Sequence, residues 1–148
     1  MNAVKDLEKN LAPADHWVLR SFDAIDAKDI DAFLDMLTDD HRFVLGAMPV
    51  VIGKNSAREQ IVQFWELIGR IRHVVKHVSM CGTALVFVES EIDYERLDGH
   101  CVTIPGCVAI KLRGDLICEQ RAYFDQGALW AELPDSPVSW AELRDRES

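Results

Sequence analysis

One alternating stretch, LVFVESEID from Leu85 to Asp93, constrains this chain more than any other part of its sequence. Successive side chains of an extended strand point to opposite faces of a sheet. One face of this stretch ends in three carboxylates, Glu89, Glu91 and Asp93, while the other face is almost wholly aliphatic. Two interpretations are open: the acids face water above an aliphatic core face, or both faces are covered and the acids line a pocket.

Length and charge narrow the classes of protein that fit this sequence. At 148 residues and 49% apolar, the chain is expected to form one domain with a substantial core. Its net charge is −9 without any run of Lys and Arg, so neither nucleic acid nor an anionic membrane is an expected partner. No stretch approaches the roughly 20 apolar residues of a membrane span, and the N-terminus lacks a signal-peptide core. We therefore expect a cytoplasmic protein.

The cysteines and histidines do not predict a metal site. The sequence has four cysteines: Cys81, Cys101, Cys107 and Cys118. They contain no CxxC pair, which indicates reduced, buried side chains rather than a structural zinc site. The five histidines are scattered, and His41 and His77 are expected to be solvated. No glycine-rich phosphate loop is present either, so we expect neither a metal nor a cofactor.

Three helices are predicted in the first half of the chain. Apolar residues recur at helical spacing over residues 13–26 and predict an amphipathic first helix. The second helix is expected to begin at the N-cap Asp29. The third is expected to begin at Asn55 or Ser56 and to end at Gly69.

Strands dominate the second half. Alternation predicts a strand at residues 41–45, a very short one at 50–52, and four longer ones at 70–80, 85–93, 100–112 and 116–124. On the 70–80 strand, His73, Val75, His77 and Ser79 are expected to share one face. Helices first and an antiparallel meander after predict an α+β fold, with three N-terminal helices packed on a curved, mainly antiparallel sheet that encloses an apolar pocket.

The two ends of the chain differ from the middle. Residues 1–12 are predicted to be a lead-in, residues 13–128 the domain, and residues 129–148 an acidic tail. The tail holds two similar segments, Trp130-Ala131-Glu132-Leu133 and Trp140-Ala141-Glu142-Leu143. Its tryptophans are expected to dock either on the protein's own surface or on a partner subunit.

Several segments together resemble the NTF2-like (cystatin-like) superfamily, and within it the SnoaL-like group related to ketosteroid isomerase, limonene epoxide hydrolase and scytalone dehydratase. The segments are FDAIDAKDIDAFLDMLTDDHRFVL from Phe22, IGKN from Ile52 and GDLICEQRAYFD from Gly114. The resemblance covers roughly residues 13–128. It implies the NTF2-like cone, a fold that hosts unrelated chemistries.

The catalytic residues of these relatives mostly do not carry over. The places that hold the base and the oxyanion-stabilising Tyr of a ketosteroid isomerase are Leu45 and Ser21 here, which excludes that activity. The limonene epoxide hydrolase positions are Phe43 and Leu45, then Asp93, Glu91 and Ala122, of which only Asp93 is retained. Scytalone dehydratase uses histidines near its pocket. His73, just after the third helix, and His100 lie at comparable places.

The resemblance favours the acid-lined pocket. In this fold the residues that match Glu91 and Asp93 point into the cone, and the other sheet face commonly packs against a second copy. Three carboxylates spaced about 7 Å apart would repel each other, which supplies a proton donor beside an acceptor. The catalytic candidates are therefore Asp93, Glu91 and His73. The substrate-binding candidates are Trp17, Phe22, Phe43, Leu45, Trp65, Glu89, His100, Gln120 and Phe124.

These features predict a small homodimer that binds a small apolar molecule. It would catalyse cofactor-independent acid–base chemistry, either dehydration, isomerisation, cyclisation or epoxide opening. In that case, Asp93→Asn or Glu91→Gln should abolish turnover with little loss of stability. The alternative is a non-catalytic ligand carrier or assembly subunit with the same fold. A cavity of several hundred cubic ångströms with carboxylates on its wall favours the enzyme, and a collapsed cone favours the subunit.

Overall fold

The computed structural model describes residues 16–132 and 138–145, so the predicted lead-in at 1–12 lies outside the described residues. A short 3-10 turn at Trp17–Leu19 precedes the first α-helix. The helices are α1 (Arg20–Asp26), α2 (Ile30–Asp35), α3 (Lys54–Glu66), α4 (Gly127–Trp130) and α5 (Trp140–Asp145). The strands are β1 (Leu37–Leu45), β2 (Val51–Ile52), β3 (Ile68–Cys81), β4 (Leu85–Arg96), β5 (Cys101–Arg113) and β6 (Leu116–Phe124). None of the helices in these two ranges is long and apolar enough to cross a membrane.

All six strands belong to one sheet, in the order β2-β1-β6-β5-β4-β3. Strands β3 to β6 form an antiparallel meander, and β1 joins its free edge by running parallel to β6. Helices α1 to α3 pack on one face, where apolar side chains from helices and strands form two core clusters. Ile25, Ile61 and Phe124 contact both clusters. This arrangement confirms the predicted α+β architecture.

The helix ends follow local chemistry that the sequence partly predicts. Asp29 caps α2 as expected, since its side chain accepts the backbone N–H of Ala32 at 3.1 Å. Helix α3 starts earlier than predicted, with Gly53 at the N-cap. Gly53 has φ +88°, a backbone angle that residues other than glycine rarely adopt. Gly69 does not end α3 but lies in β3, where an added Cβ would be 3.1 Å from the carbonyl oxygen of Glu95.

The predicted orientation of β4 is wrong. Val86, Val88 and Ile92 are the residues beneath the helices, where they are buried in the core clusters. Because successive side chains of a strand point to opposite faces, Glu89, Glu91 and Asp93 lie together on the opposite, outer face. The aliphatic face of β4 packs against the helices because it buries far more apolar surface there than a row of carboxylates could.

Bulges change which residues of β3 share a face. The pairing of β3 with β4 shifts between Val75 and His77, so one extra residue enters β3. His73 pairs with the inward Ile92, whereas His77 pairs with the outward Glu89. The prediction that these two histidines share a face is therefore wrong, although His77 is exposed as expected.

On the outer face, a buried ion pair holds the C-terminal helix. Asp93 is fully buried, and its Oδ2 accepts hydrogen bonds from Nε and Nη2 of Arg72 at 3.2 and 2.7 Å. Thr103 Oγ1 donates to Asp93 Oδ1 at 2.6 Å. Arg72 Nη2 also donates to the carbonyl oxygen of Leu143 in α5 at 3.0 Å, and its guanidinium lies 5.9 Å from the ring centre of Trp140. Within the described residues, this part of the tail docks on the protein's own sheet.

The cysteines are all free. Cys101 and Cys118 are buried as expected and Cys107 is half-buried. Cys81, at the end of β3, is exposed, so the expectation of burial is wrong for this residue.

Candidate functional site

A cavity of about 710 Å³ lies between the helices and the inner face of the sheet. Its volume is within the range of small-molecule sites. Most of its wall is apolar and comes from Phe22, Ile25, Phe33, Phe43, Leu45, Ile61, Phe64, Trp65, Ile71, Ile92, Val108, Ala122 and Phe124. The cavity is therefore suited to an apolar ligand, and its few polar groups decide what else it can do.

His73, which is part of this wall, is paired with a carboxylate. Nδ1 of His73, on β3, lies 2.6 Å from Oδ1 of Asp26, the last residue of α1. The other oxygen, Oδ2, accepts the backbone N–H of His73 at 2.8 Å. Because an ionised carboxylate only accepts hydrogen bonds, this contact places the imidazole proton on Nδ1. With Nδ1 engaged, Nε2 is the ring nitrogen left to a ligand.

The imidazole of His73 is shielded from water. Its side chain is 10% exposed, and the ring of Phe22 lies against it with 4.9 Å between ring centres. His73 also borders a second, smaller cavity of about 390 Å³ that His16, Arg20 and Asp23 help to line. A fixed tautomer in a shielded position is what a general acid–base residue needs.

Tyr94 also lines this cavity. It lies on β4, and its ring meets that of Phe64 edge-on at 6.1 Å between centres. Burial raises the pKa of Tyr94, and the negative charge of Asp26 raises it further. The phenol therefore stays protonated at neutral pH and can act as a hydrogen-bond donor.

A second polar pair lies on β1 and β6. His41 Nε2 is 3.0 Å from Oε1 of Gln120, and both side chains are buried at the cavity wall. Since an amide oxygen only accepts, Nε2 carries the proton and Nδ1 is left as an acceptor. Burial lowers the pKa of His41. The prediction that His41 is solvated is wrong, because His41 alternates with Phe43 and Leu45 along β1 and faces the cavity with them.

Many of the predicted site residues do line this cavity. They are Phe22, Phe43, Leu45, Trp65, His73, Gln120 and Phe124. They come from α1, β1, α3, β3 and β6, as the cone requires. Of the three catalytic candidates, only His73 is among them.

The acid-lined pocket is not what the structure shows. Glu91 is 3.9 Å from Lys76 and Glu89 is 3.8 Å from His77, both on the outer face, and Asp93 is enclosed there with Arg72. All three are thus on the far side of the sheet from the cavity, because the aliphatic face of β4 packs under the helices.

Two further candidates are also displaced from the cavity. Trp17 packs against the first core cluster. His100 lies beyond β4, with Nδ1 3.2 Å from Asp98 at the hairpin turn. Neither residue is part of the described cavity wall.

Residues 18–120 match the sequence model of the SnoaL-like domain. The chain belongs to the SnoaL-like family. No curated protein sequence matches this SnoaL-like chain.

Solved structures agree with this assignment at the level of the fold. A protein named as a SnoaL-like polyketide cyclase from a Jannaschia species is 23% identical, with a TM-score of 0.68 over 78% of this chain and 90% of that one. TerC, crystallised with polyporic acid, is 18% identical, with a TM-score of 0.69 over 80% and 95% of the two chains. A Catenulispora acidiphila protein with a ketosteroid isomerase-like fold, in complex with trimethylamine, is 15% identical, with a TM-score of 0.74 over 82% and 96%. The predicted NTF2-like cone is confirmed.

Asp26 and Tyr94 are among the polar residues of this SnoaL-like domain that sequence reasoning misses. The sequence pattern marks Asp26 only as part of the break after the first helix. When an amphipathic helix packs on a sheet, however, an acid at its end can contact a side chain of a strand. Tyr94 continues the alternation of β4 by one step beyond Asp93, which puts it on the same face as Ile92. Extending the alternation identifies Tyr94, whereas the pairing of Asp26 with a residue 47 positions away needs the fold.

The lowered pKa of His41 predicts a specific pH dependence of stability. Below about pH 6.5, the unfolded chain binds a proton at His41 that the folded chain does not, so acid destabilises the fold. The loss is at most about 1.4 kcal/mol per pH unit. We expect His41→Gln to lose less unfolding free energy than wild type between pH 7 and 5.5 in urea titrations. His77→Gln, at an exposed site, is the control. Equal pH slopes for wild type and His41→Gln would contradict the prediction.

Proposed function

We propose that this SnoaL-like domain binds a small apolar molecule and catalyses proton transfer on it, with His73 as the acid–base residue. The reaction classes are dehydration, isomerisation, cyclisation and epoxide opening, which all move a proton to or from the substrate. One observation carries the proposal. The His73–Asp26 pair, 2.6 Å between Nδ1 and Oδ1, stands at the wall of an apolar cavity of about 710 Å³.

Each member of the pair has a defined role. Nε2 of His73 takes a proton from the bound molecule and returns it to another atom of that molecule or to a leaving hydroxyl group. Asp26 acts as a positioning residue, because it fixes the tautomer and stabilises the imidazolium that forms. Its second bond, to the backbone N–H of His73, restrains the carboxylate as well. The apolar surroundings strengthen the attraction between imidazolium and carboxylate relative to water.

One of the structural relatives supports this class of ligand, since it is named as a polyketide cyclase. The aromatic rings of Phe22, Phe43 and Trp65 in this chain suit a flat apolar molecule. An identity of 23% restricts the support from this relative to the fold.

Solvent deuterium exchange tests the proposal across several classes of candidate substrate at once. The protein is incubated in D₂O with a panel of neutral aromatic ketones, β-hydroxy ketones and enolisable diketones, and with aryl epoxides in H₂¹⁸O. Mass spectrometry then detects incorporated deuterium or ¹⁸O. We expect incorporation with at least one class, and its loss in Val50→Trp, a change that narrows the exposed rim of the cavity. Incorporation that is identical with and without protein across the panel contradicts the proposal.

The second candidate function is a ligand carrier without catalysis. The open cavity is compatible with ligand carriage as well as with catalysis. It does not favour an assembly subunit, for which we expected the cone to be filled by side chains. A carrier would bind panel members but leave their isotope content unchanged. The same incubation therefore separates the two functions.

A homodimer through the outer sheet face is part of the proposal. Helix α5 covers the end of this face around Asp93, while Tyr123 on β6 is 54% exposed and Phe87 on β4 is 36% exposed. These aromatic side chains are suited to an apolar contact with a second copy.

We expect Tyr123→Glu to shift the protein from dimer to monomer in sedimentation velocity, because a buried unpaired carboxylate is costly at such an interface. Leu97→Glu, at a residue that is 70% exposed in the β4–β5 turn, is the matched control. A dimer that persists in Tyr123→Glu would rule out this face.

A further inference from the structure

We infer that the cavity takes uncharged aromatic molecules and rejects anions of the same shape. The inference deepens the proposed function by naming the class of ligand for that site. It rests on the cavity and its charges, so it can be tested by binding alone.

The polar groups of the cavity wall carry no fixed charge. They are Ser21, His41, Gln60, Gln63, His73, Tyr94, Gln120 and Gln126. The described wall contains no Asp, Glu, Lys or Arg. Hydroxyl and carbonyl groups of a neutral ligand can pair with these donors and acceptors. A carboxylate or sulfonate would lose its hydration and meet no cation, which is costly in an apolar environment.

Two charged side chains that contact residues of the wall, Asp26 and Lys28, are already engaged. Arg20 borders the smaller cavity next to His73 and is not part of this wall. Asp26 holds His73, and its negative charge opposes any anion that approaches the imidazole. If His73 is protonated, Asp26 neutralises it, so the pair offers no net positive charge. The Lys28 ammonium group points at the main chain, where Nζ lies 3.0 Å from the carbonyl oxygen of Gly69 and 3.5 Å from those of Trp65 and Ile68.

The entrance to the cavity is apolar too. Four of the residues that line it are large, hydrophobic and exposed at the surface: Met48, Val50, Leu67 and Trp130. They come from the β1–β2 loop, the end of α3 and α4. An aromatic ligand can therefore pass from solvent to His73 along apolar surface.

A matched pair of fluorescent probes tests the inference. N-phenyl-1-naphthylamine is uncharged, and 1-anilinonaphthalene-8-sulfonate is the same molecule with one added sulfonate. Both brighten in apolar surroundings. In fluorescence titrations of the full chain, we expect the neutral probe to bind at least about tenfold more tightly than the sulfonate, because the sulfonate finds no cation in the cavity.

Variants show whether the probes occupy this cavity. Ala122→Leu fills the wall at a buried residue, and Val50→Trp narrows the exposed entrance. Both are expected to weaken the neutral probe, and circular dichroism confirms that each is folded. Gln60→Arg places a cation at the wall and is expected to improve the binding of the sulfonate relative to the neutral probe by at least about threefold. Thr83→Arg adds the same charge in the exposed β3–β4 turn and should not change this ratio.

Two outcomes would overturn the inference. One is a sulfonate probe that binds as tightly as the neutral probe and whose binding is weakened by both Ala122→Leu and Val50→Trp. The other is a neutral probe that does not bind, or whose binding neither variant weakens. Neither result bears on proton transfer by His73, which is measured by isotope incorporation, so failure of the ligand class and failure of the proposed function are distinguishable.

Discussion

Replacing His73 with Gln is expected to lower the rate of proton transfer by roughly 10²- to 10⁴-fold while the protein stays folded. The amide of Gln can still donate a hydrogen bond to Asp26, but it has no group that titrates near neutral pH. The initial rate of isotope incorporation, measured on whichever panel compound wild type turns over, gives the size of the loss. Probe affinity should be nearly unchanged, since the apolar wall is intact.

The same strand provides a matched control. His77→Gln makes the same substitution four residues later, on the outer face and at an exposed position. It should keep the wild-type rate. If His73→Gln also keeps the wild-type rate, His73 is not the acid–base residue and the proposal is wrong.

Asp26→Asn tests the positioning role separately. The amide keeps the size of the carboxylate but removes its charge, so the imidazolium loses its stabilising partner. We expect a lower rate and an altered pH profile of the rate, together with a change in the ¹⁵N chemical shifts that report the tautomer of His73. A purely structural role of Asp26 would lower thermal stability but leave the pH profile and the shifts in place.

The sequence predicts the elements of this fold well because alternation and helical spacing are local properties. The strand at 116–124 is predicted with its observed ends, and Asp29 caps the second helix as expected. Alternation also separates the two faces of β4 correctly. Alternation does not say which face of β4 packs against the helices. Either face can be the inner one, because another element, here α5, can cover part of the outer face.

The site itself depends on contacts that no local pattern contains. Asp93 is a buried acid on the outer face, made tolerable by Arg72 from the neighbouring strand and by the docking of α5. The bulge in β3 between Val75 and His77 places His73 and His77 on opposite faces of the sheet. The hydrogen bond between His73 and Asp26 joins this strand to the end of a helix that is distant in sequence. The resemblance to a family supplies the cone and places His73 near its pocket. It fails for Glu91 and Asp93, since it assigns the wrong face to their strand.

Replacing Asp93 with Ala is expected to destabilise the protein by about 3 kcal/mol and to leave proton transfer unchanged. The carboxylate is fully buried, and its removal leaves the Arg72 guanidinium, 25% exposed, without its charged partner. It also removes the acceptor of the Thr103 hydroxyl hydrogen bond. For a chain of this length, we expect the melting temperature to fall by on the order of 10 °C.

The effect should extend to the C-terminal helix, since Arg72 joins Asp93 to the carbonyl oxygen of Leu143. Hydrogen exchange is therefore expected to rise in α5 of Asp93→Ala, and much less in β1, which is far from Asp93 in the sheet order. Glu89→Gln, on the same face of the same strand but exposed, should change neither stability nor exchange by a comparable amount. The acid-lined pocket would give the opposite pattern, with turnover lost in Asp93→Asn and stability retained. Measuring the melting temperature and the isotope incorporation of both Asp93 variants therefore decides between a residue that holds the outer face together and one that acts on a substrate.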